Sequence, residues 1–423
     1  MTNPRRELVG DILQALLFLA LAALGIGIGI LAWHLAGIDG GSTTAAAPTP
    51  PPPAATPPPP PRPQTRELSG NVVWPLFGFG PNRNHVAVGM RLQPPFKRVW
   101  SVSARSRVGF PPVVAYGRLF VATAAGSVLS IDAASGKVAW RKNLERCIRS
   151  SPAVGGGTVY VALMDRAPCP VHDEKQPGFL VALDAATGRT LWRFRSALNE
   201  SSPLLARGVL YFGTWDGKVH ALVAKTHRPL WTAETRAEVR ASVTYSNGLV
   251  YVGSYDGTLY AFDAKTGAAR WSASPGTAIY STPAVAAGRV FVGSTGGGVY
   301  AYDAESGSYV WGRTAGRAVY GSPAVWRDTV YVGSYDGTFY AFDAATGETR
   351  WQFAANGPIS GSATVMAGIV YLSTLTGHTY GLDVTTGRQR WSFPGGQYSP
   401  LVADPKQAYV TTYSRIFALR PRP

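Results

Sequence analysis

Cysteine, methionine and histidine are scarce in this chain of 423 residues, at two, four and six copies, and Cys147 and Cys169 are not adjacent. So few soft and nucleophilic side chains leave little for a metal centre. His34, His85 and His378 lie far from one another and from His220 and His227. Only Cys169, His172, Asp173 and Glu174 stand at ligand spacing, as one half of a site without a second, so no metal is expected. No Ser/His/Asp order and no paired catalytic acids stand out. The glycine runs at 25–30 and 155–157 belong to an apolar segment and a strand turn, not to a phosphate cradle.

Charge is absent from residues 12–36, ILQALLFLALAALGIGIGILAWHLA. About 25 such residues, at ~1.5 Å each, make a helix long enough to span a bilayer. Arg5 and Arg6 precede the segment and no Lys or Arg follows before Arg62, so 1–11 is expected in the cytoplasm and the remainder outside. A retained signal anchor fits the length, and a peptide cleaved near Ala45–Ala47 is the rival reading. No Cys follows the apolar run, which excludes a bacterial lipoprotein. Gly25 and Gly29 form a GxxxG pair that suits a weak homodimer. Residues 37–66 are rich in Pro, Ala and Thr and read as an extended linker.

Acidic charge is the minority: Lys and Arg number 40 against 24 Asp and Glu, a formal charge of +16. Outside the cytoplasm such a surface draws acidic envelope polymers or lipid head groups, not nucleic acid.

What the chain has in abundance is repetition. GSYDGTLYAFDAKTGAARW (253–271) returns as GSYDGTFYAFDAATGETRW (333–351). Trp100, Trp140, Trp192, Trp231, Trp271, Trp311, Trp351 and Trp391 recur about every 40 residues, with one insertion of about twelve between Trp140 and Trp192. Each unit reads as four short strands separated by turns. Asp256-Gly257 and Asp336-Gly337 suit a two-residue hairpin, and DAxTG a second turn with Gly267 or Gly347 in the left-handed region. Val223 and His227 replace that Asp and Gly in one unit, which predicts a looser turn. Both faces of these strands are apolar, so sheets must stack around an axis, with the tryptophans filling the gaps between neighbours. The last unit, QYSPLV, QAYVTT and RIFALR, lacks a fourth strand, which FKRVWSV around Trp100 supplies. The expectation is an all-β, eight-bladed propeller of four-stranded antiparallel blades at 96–423, preceded by a lead-in at 67–95.

The unit SPxVxxGxVYVGSxDGxxYAxDAxTGxxxW resembles the repeat of the PQQ-binding-like β-propeller superfamily, over roughly 74–420, and WPLFGFGPNRNHVAV (74–88) is similar to its lead-in. That superfamily includes quinoprotein alcohol dehydrogenases and the propeller subunit of the outer-membrane β-barrel assembly machinery. The enzymatic branch implies a vicinal Cys-Cys disulfide and a calcium-bound quinone, and this chain has no such pair. No quinone cofactor is therefore expected. The assembly-machinery subunit is a lipoprotein, and this chain is expected to hang from a helix instead.

In a propeller the start of the innermost strand and the hairpin between the second and third strands share one face. In the pattern x-S-S-P the free position is Gly109, Arg149, Glu200, Arg240, Tyr280, Tyr320, Ser360 and Gln397, a ring expected around one channel mouth. It either holds a polar or anionic ligand or is a solvated ring with Arg149 paired to Glu200. Trp215, Tyr255 and Tyr335 at the hairpin tips either contact a partner or pack on the next blade. The insertion (164–178) falls on this face, and Cys147 and Cys169 are expected to form a disulfide that staples it across the mouth. The functional expectation is a non-catalytic scaffold on the cell membrane that binds a protein or an envelope polymer. Its alternatives are a sensor of a small anion and a PQQ-dependent oxidoreductase.

Overall fold

The computed structural model describes residues 71–422 apart from 167–168, 170–172 and 399–400. The expected tail, anchor, GxxxG pair and linker, the start of the lead-in and His172 lie outside the described residues. The repeat folds as eight antiparallel sheets. In blade 5 the chain runs from the innermost strand Ala284–Ala286 through Arg289–Gly293 and Gly298–Asp303 to the outermost Tyr309–Thr314. Middle strands are buried on both faces, as in Thr329–Gly333, while outer strands such as Thr349–Ala354 alternate. Phe96–Ser103 pairs with Arg415–Pro421 and completes blade 8, so both chain ends lock one sheet.

Blade 1 departs from the four-stranded expectation: Val72–Trp74 of the lead-in pairs with the inner strand Val113–Ala115 as a fifth strand. The hairpins differ too. Ser254 N donates to Thr258 O, which leaves a three-residue loop in which Gly257, and not Asp256, has positive φ, at 80°. Asp256 instead accepts from the amides of Thr258 and Arg236 and from the Tyr260 hydroxyl, so its carboxylate organises the loop.

The tryptophans do join neighbours, through a defined contact. The indole N–H of Trp311 donates 3.0 Å to Ala344 O in the next blade, and Trp100, Trp140, Trp231, Trp271 and Trp351 do likewise. Each ring covers the Gly of the next DAxTG-type turn. A Cβ on Gly347 would lie 2.7 Å from the Trp311 ring, so the glycine supplies space as well as its φ of 73°. Where His227 replaces the glycine, it takes φ 50°, its N donates to Val223 O at 2.8 Å, and its ring meets Trp192 at 5.2 Å. The turn is therefore not looser: an imidazole stands where the others leave room for the indole.

The repeated Ser/Thr just before each innermost strand has its own task. The amide of Ser151 donates to the Ser202 hydroxyl, Ser202 to Ser242, Ser242 to Thr282, Thr282 to Ser322 and Ser322 to Ser362, at 2.8–3.2 Å. This chain of bonds links the innermost strands of blades 2 to 7.

The lead-in closes the channel on the side away from the hairpin tips. Carbonyls of Asn71, Pro75, Pro81, Asn82, Asn84 and His85 accept from Tyr116, Val154, Tyr245, Val285, Val325 and Val365, one in each of six blades. Arg83 is fully buried at its centre and donates to Val243 O, Phe77 O, Ser202 O and Pro203 O at 2.6–3.3 Å. Burial lowers its pKa to about 9. The adjacent buried His85 is pushed down to about 3 by burial and by the Arg83 charge, so it stays neutral at physiological pH.

Two stability outcomes follow from these contacts. Gly347→Ala should destabilise by roughly 2–3 kcal/mol, combining about 1 kcal/mol for φ with a displaced indole. Gly208→Ala, at φ 78° with nothing within 4 Å of the new Cβ, should lose only the first part. Chemical denaturation of both compares them directly, and equal losses would refute the Trp-on-Gly contact. Arg83→Met leaves three buried carbonyls and that of Phe77 without this donor and should lower the thermal midpoint by several degrees. A midpoint unchanged in calorimetry would contradict the role of Arg83 in sealing the channel.

A cup at the open mouth

One recurrent bond brings the candidate residues together. The first residue of each hairpin tip donates its amide to the carbonyl two residues before the free inner position: Trp215 to Leu198, Tyr255 to Glu238, Thr295 to Ala278, Tyr335 to Ala318 and Leu375 to Pro358, at 2.8–3.0 Å. Tip residues are thereby held beside inner-ring residues, so Tyr255 stands next to Arg240 and Tyr335 next to Tyr320.

The result is a cavity of about 390 Å³ whose lining includes Phe77 of the lead-in. Blades 1, 2 and 4 contribute Arg107, Arg149 and Arg240, and blade 3 Glu200. Blades 5 and 6 contribute Tyr280, Tyr320 and Tyr335. The tyrosines are not separate posts. Tyr255–Tyr280, Tyr280–Tyr320 and Tyr320–Tyr335 meet edge to face at 6.2, 5.9 and 5.5 Å, a packing favourable for aromatic quadrupoles.

Arg240 and Glu200 are the electrostatic centre. The Arg240 guanidinium lies 3.8 Å from the Trp215 ring centre and 4.7 Å from that of Tyr255. Its Nε donates 2.5 Å to Glu238 Oε2. Trp215 and Tyr255 thus pack on Arg240 while staying half-buried, Tyr255 also lines the cup, and Tyr335 keeps 36% of its surface exposed. The Glu200 side chain is 1% exposed, with Arg149 and Arg240 each 3.8 Å away, in ion-pair range but beyond hydrogen-bond reach. Burial pushes its carboxyl up to about 7, while Arg149, Arg240 and the Trp215 indole pull the other way. Tyr280 is raised as well, first by burial and then by Glu200, and remains a neutral hydroxyl.

Gln397 is not part of the cup lining, and Tyr398 is. The physical reason is length: Trp391 precedes Gln397 by six residues, whereas Trp351 precedes Ser360 by nine, so the shorter connection brings the next residue to the mouth. Trp215 lies behind Arg240 and does not line the cup. The Cys147–Cys169 disulfide is formed, with Cα atoms 5.4 Å apart. It packs with Met164 and Leu198 and against Trp215, so the described part of the insertion buttresses the wall and is not stapled across the mouth. Cys169, oxidised in this bond, offers no thiolate to a metal, and no group of three potential ligands occurs among the described residues. Reasoning on the free inner position missed Arg107, two residues before Gly109, and Phe77, which comes from outside the repeat. Arg107 faces the Tyr398 ring at 5.8 Å.

Comparison with known proteins fits this architecture. The family model described as outer membrane protein assembly factor BamB matches residues 91–173, 177–314, 266–396 and 299–422. The chain belongs to this family. BamB of Burkholderia pseudomallei is 30% identical over 159 residues, which cover 36% of this chain and 38% of that protein. The matched part therefore spans little more than a third of that relative. Among solved structures, BamB from Moraxella catarrhalis has a TM-score of 0.64 at 19% identity and covers 77% of this chain and 98% of its own. Quinohemoprotein alcohol dehydrogenase from Comamonas testosteroni has a TM-score of 0.67 at 14% identity, covering 83% of this chain and 81% of its own. At these identities the two structures establish the fold alone, in agreement with the PQQ-like repeat.

The raised carboxyl of Glu200 has a signed consequence. Its pKa moves from 4.5 to about 7, so the native state is favoured with Glu200 protonated. The associated stability is full below pH ~4.5 and is lost as pH rises to about 7, by roughly 3 kcal/mol. Glu200→Gln should remove that slope. Denaturation of both proteins from pH 4 to 8 checks it: the difference should grow between 4.5 and 7 and be flat on either side, and parallel profiles would contradict it.

Proposed function

We propose that this protein is a non-catalytic binding propeller, displayed outside the cell membrane on its N-terminal segment, whose partner is another protein engaged at the rim of the open mouth. The observation that carries this reading is the charge arrangement of the cup. Its buried carboxylate sits between two arginines, and among the described residues no nucleophile and base are paired beside it. Calcium would need several oxygen ligands, and here the lone Glu200 carboxylate is flanked by two guanidinium cations at 3.8 Å that repel a dication. The disulfide joins cysteines 22 residues apart and packs behind Trp215, so it supplies no vicinal pair against a quinone. These residues do not fit PQQ with calcium, and the oxidoreductase reading is set aside on that ground.

Membership of a family described as an assembly factor supports a protein partner over a chemical substrate. Tyr335, exposed and ordered by the hydrogen bond its backbone N–H donates to Ala318 O, is an anchor of the kind protein interfaces use. The basic surface leaves acidic envelope polymers as the second class of partner, drawn by charge alone.

Photo-crosslinking in intact cells of the native host from a probe at Tyr335, with a control at exposed Thr266 on the opposite face, tests the reading. A discrete protein adduct from position 335 alone is expected. Equal adducts from both positions, or none, would contradict a defined protein partner on this face.

A further inference from the structure

We propose that the cup is a binding site for a small organic anion, whose carboxylate or phosphate is held by Arg107, Arg149 and Arg240 and whose body rests on the tyrosine wall. The inference stands apart from the protein partner, since it concerns the blind interior and not the rim.

Three features support it. The first is shape. At about 390 Å³ the cavity falls in the range of small-molecule sites, roughly 300–1,000 Å³, and the lead-in with Phe77 among the lining makes it a cup and not a through channel. The second is charge. Three guanidinium groups line or face the cavity against Glu200 and Glu238, leaving one net positive charge with Glu200 ionised and two with it protonated. Arg240 is fixed by Glu238 through Nε and clamped by Trp215 and Tyr255, so its orientation is set before an anion arrives. The third is the remaining wall. An inorganic anion would fill a small part of the volume, and Tyr280 and Tyr320 with Phe77 offer apolar surface that only an organic body would use.

Glu200 couples the site to protons. It faces Arg149, Arg240, Trp215, Glu238 and the Tyr280 hydroxyl, and an added negative charge beside the arginines disfavours its ionised form. Binding near neutral pH is therefore accompanied by proton uptake on the Glu200 carboxyl, and affinity falls as pH rises above about 7.

Isothermal titration of the whole protein with benzoate and phenyl phosphate tests the proposal, beside acetate and inorganic phosphate as anion without body and benzyl alcohol as body without anion. The ring-bearing anions should bind more tightly than any of the three fragments, and whichever of the two is tighter identifies the head group. Arg240→Gln and Arg149→Gln should each weaken that binding tenfold or more. Tyr280→Leu, which keeps the arginines, should weaken benzoate but leave acetate unchanged. Benzoate titrated at pH 7 in buffers of different ionisation heat should show a fraction of a proton taken up, absent in Glu200→Gln. No binding of either ring-bearing anion, or equal binding in wild type and both arginine variants with unchanged thermal midpoints, would overturn the proposal.

Discussion

The innermost strand of each blade has an edge that faces the channel, and its backbone groups cannot be satisfied by its own sheet. Closure of the ring through Phe96–Ser103 completes blade 8 and leaves these inner edges unpaired by any sheet. Two devices answer on the inside. The Ser/Thr hydroxyls take the amides of neighbouring inner strands. The lead-in takes six more amides, while Arg83 serves carbonyls of blades 3 and 4. Because one short segment must reach so many blades, it crosses the channel and seals it. The cup at the other mouth is a consequence of backbone accounting at the axis.

The repeat made most of the fold legible. A Trp every 40 residues, a Gly in the following turn and a missing last strand are signals of packing that every blade shares. Features that break the repeat were harder to read. Arg83 and Phe77 lie outside it, and nothing in their local sequence says that they enter a channel. Tyr398 replaced Gln397 because alignment on the proline ignored a connection three residues shorter. Asp-Gly suggests a two-residue hairpin, although the same dipeptide also closes a three-residue loop. The ring of free positions was a sound guide to the mouth, yet it could not show that Trp215 and Tyr255 would turn inward onto Arg240.

That inward turn follows from the amide that ties each tip to the incoming strand, and it governs the chemistry of the cup. Burial makes the Glu200 carboxyl costly to ionise even though Arg149 and the clamped Arg240 favour its charge, which places its titration near neutrality. The same packing, extended through Leu198 and Met164 to the disulfide, rigidifies one wall, while the tyrosines of blades 5 and 6 stiffen another by edge-to-face contact. A rigid, blind, positively biased cup under a rim of ordered tips is the common ground of both binding roles argued above.

The central claim is that the lead-in is an integral seal of the channel. Hydrogen–deuterium exchange resolved to peptides covering residues 71–95 and the inner strands tests it most directly. The account predicts that the inner-strand amides of Val154, Tyr245, Val285, Val325 and Val365 exchange as slowly as the middle strands. The lead-in's own amides should share that protection, since they open only with the blades. Exchange of the lead-in and of these five amides within seconds, with the middle strands still protected, would mean an open channel and contradict the account.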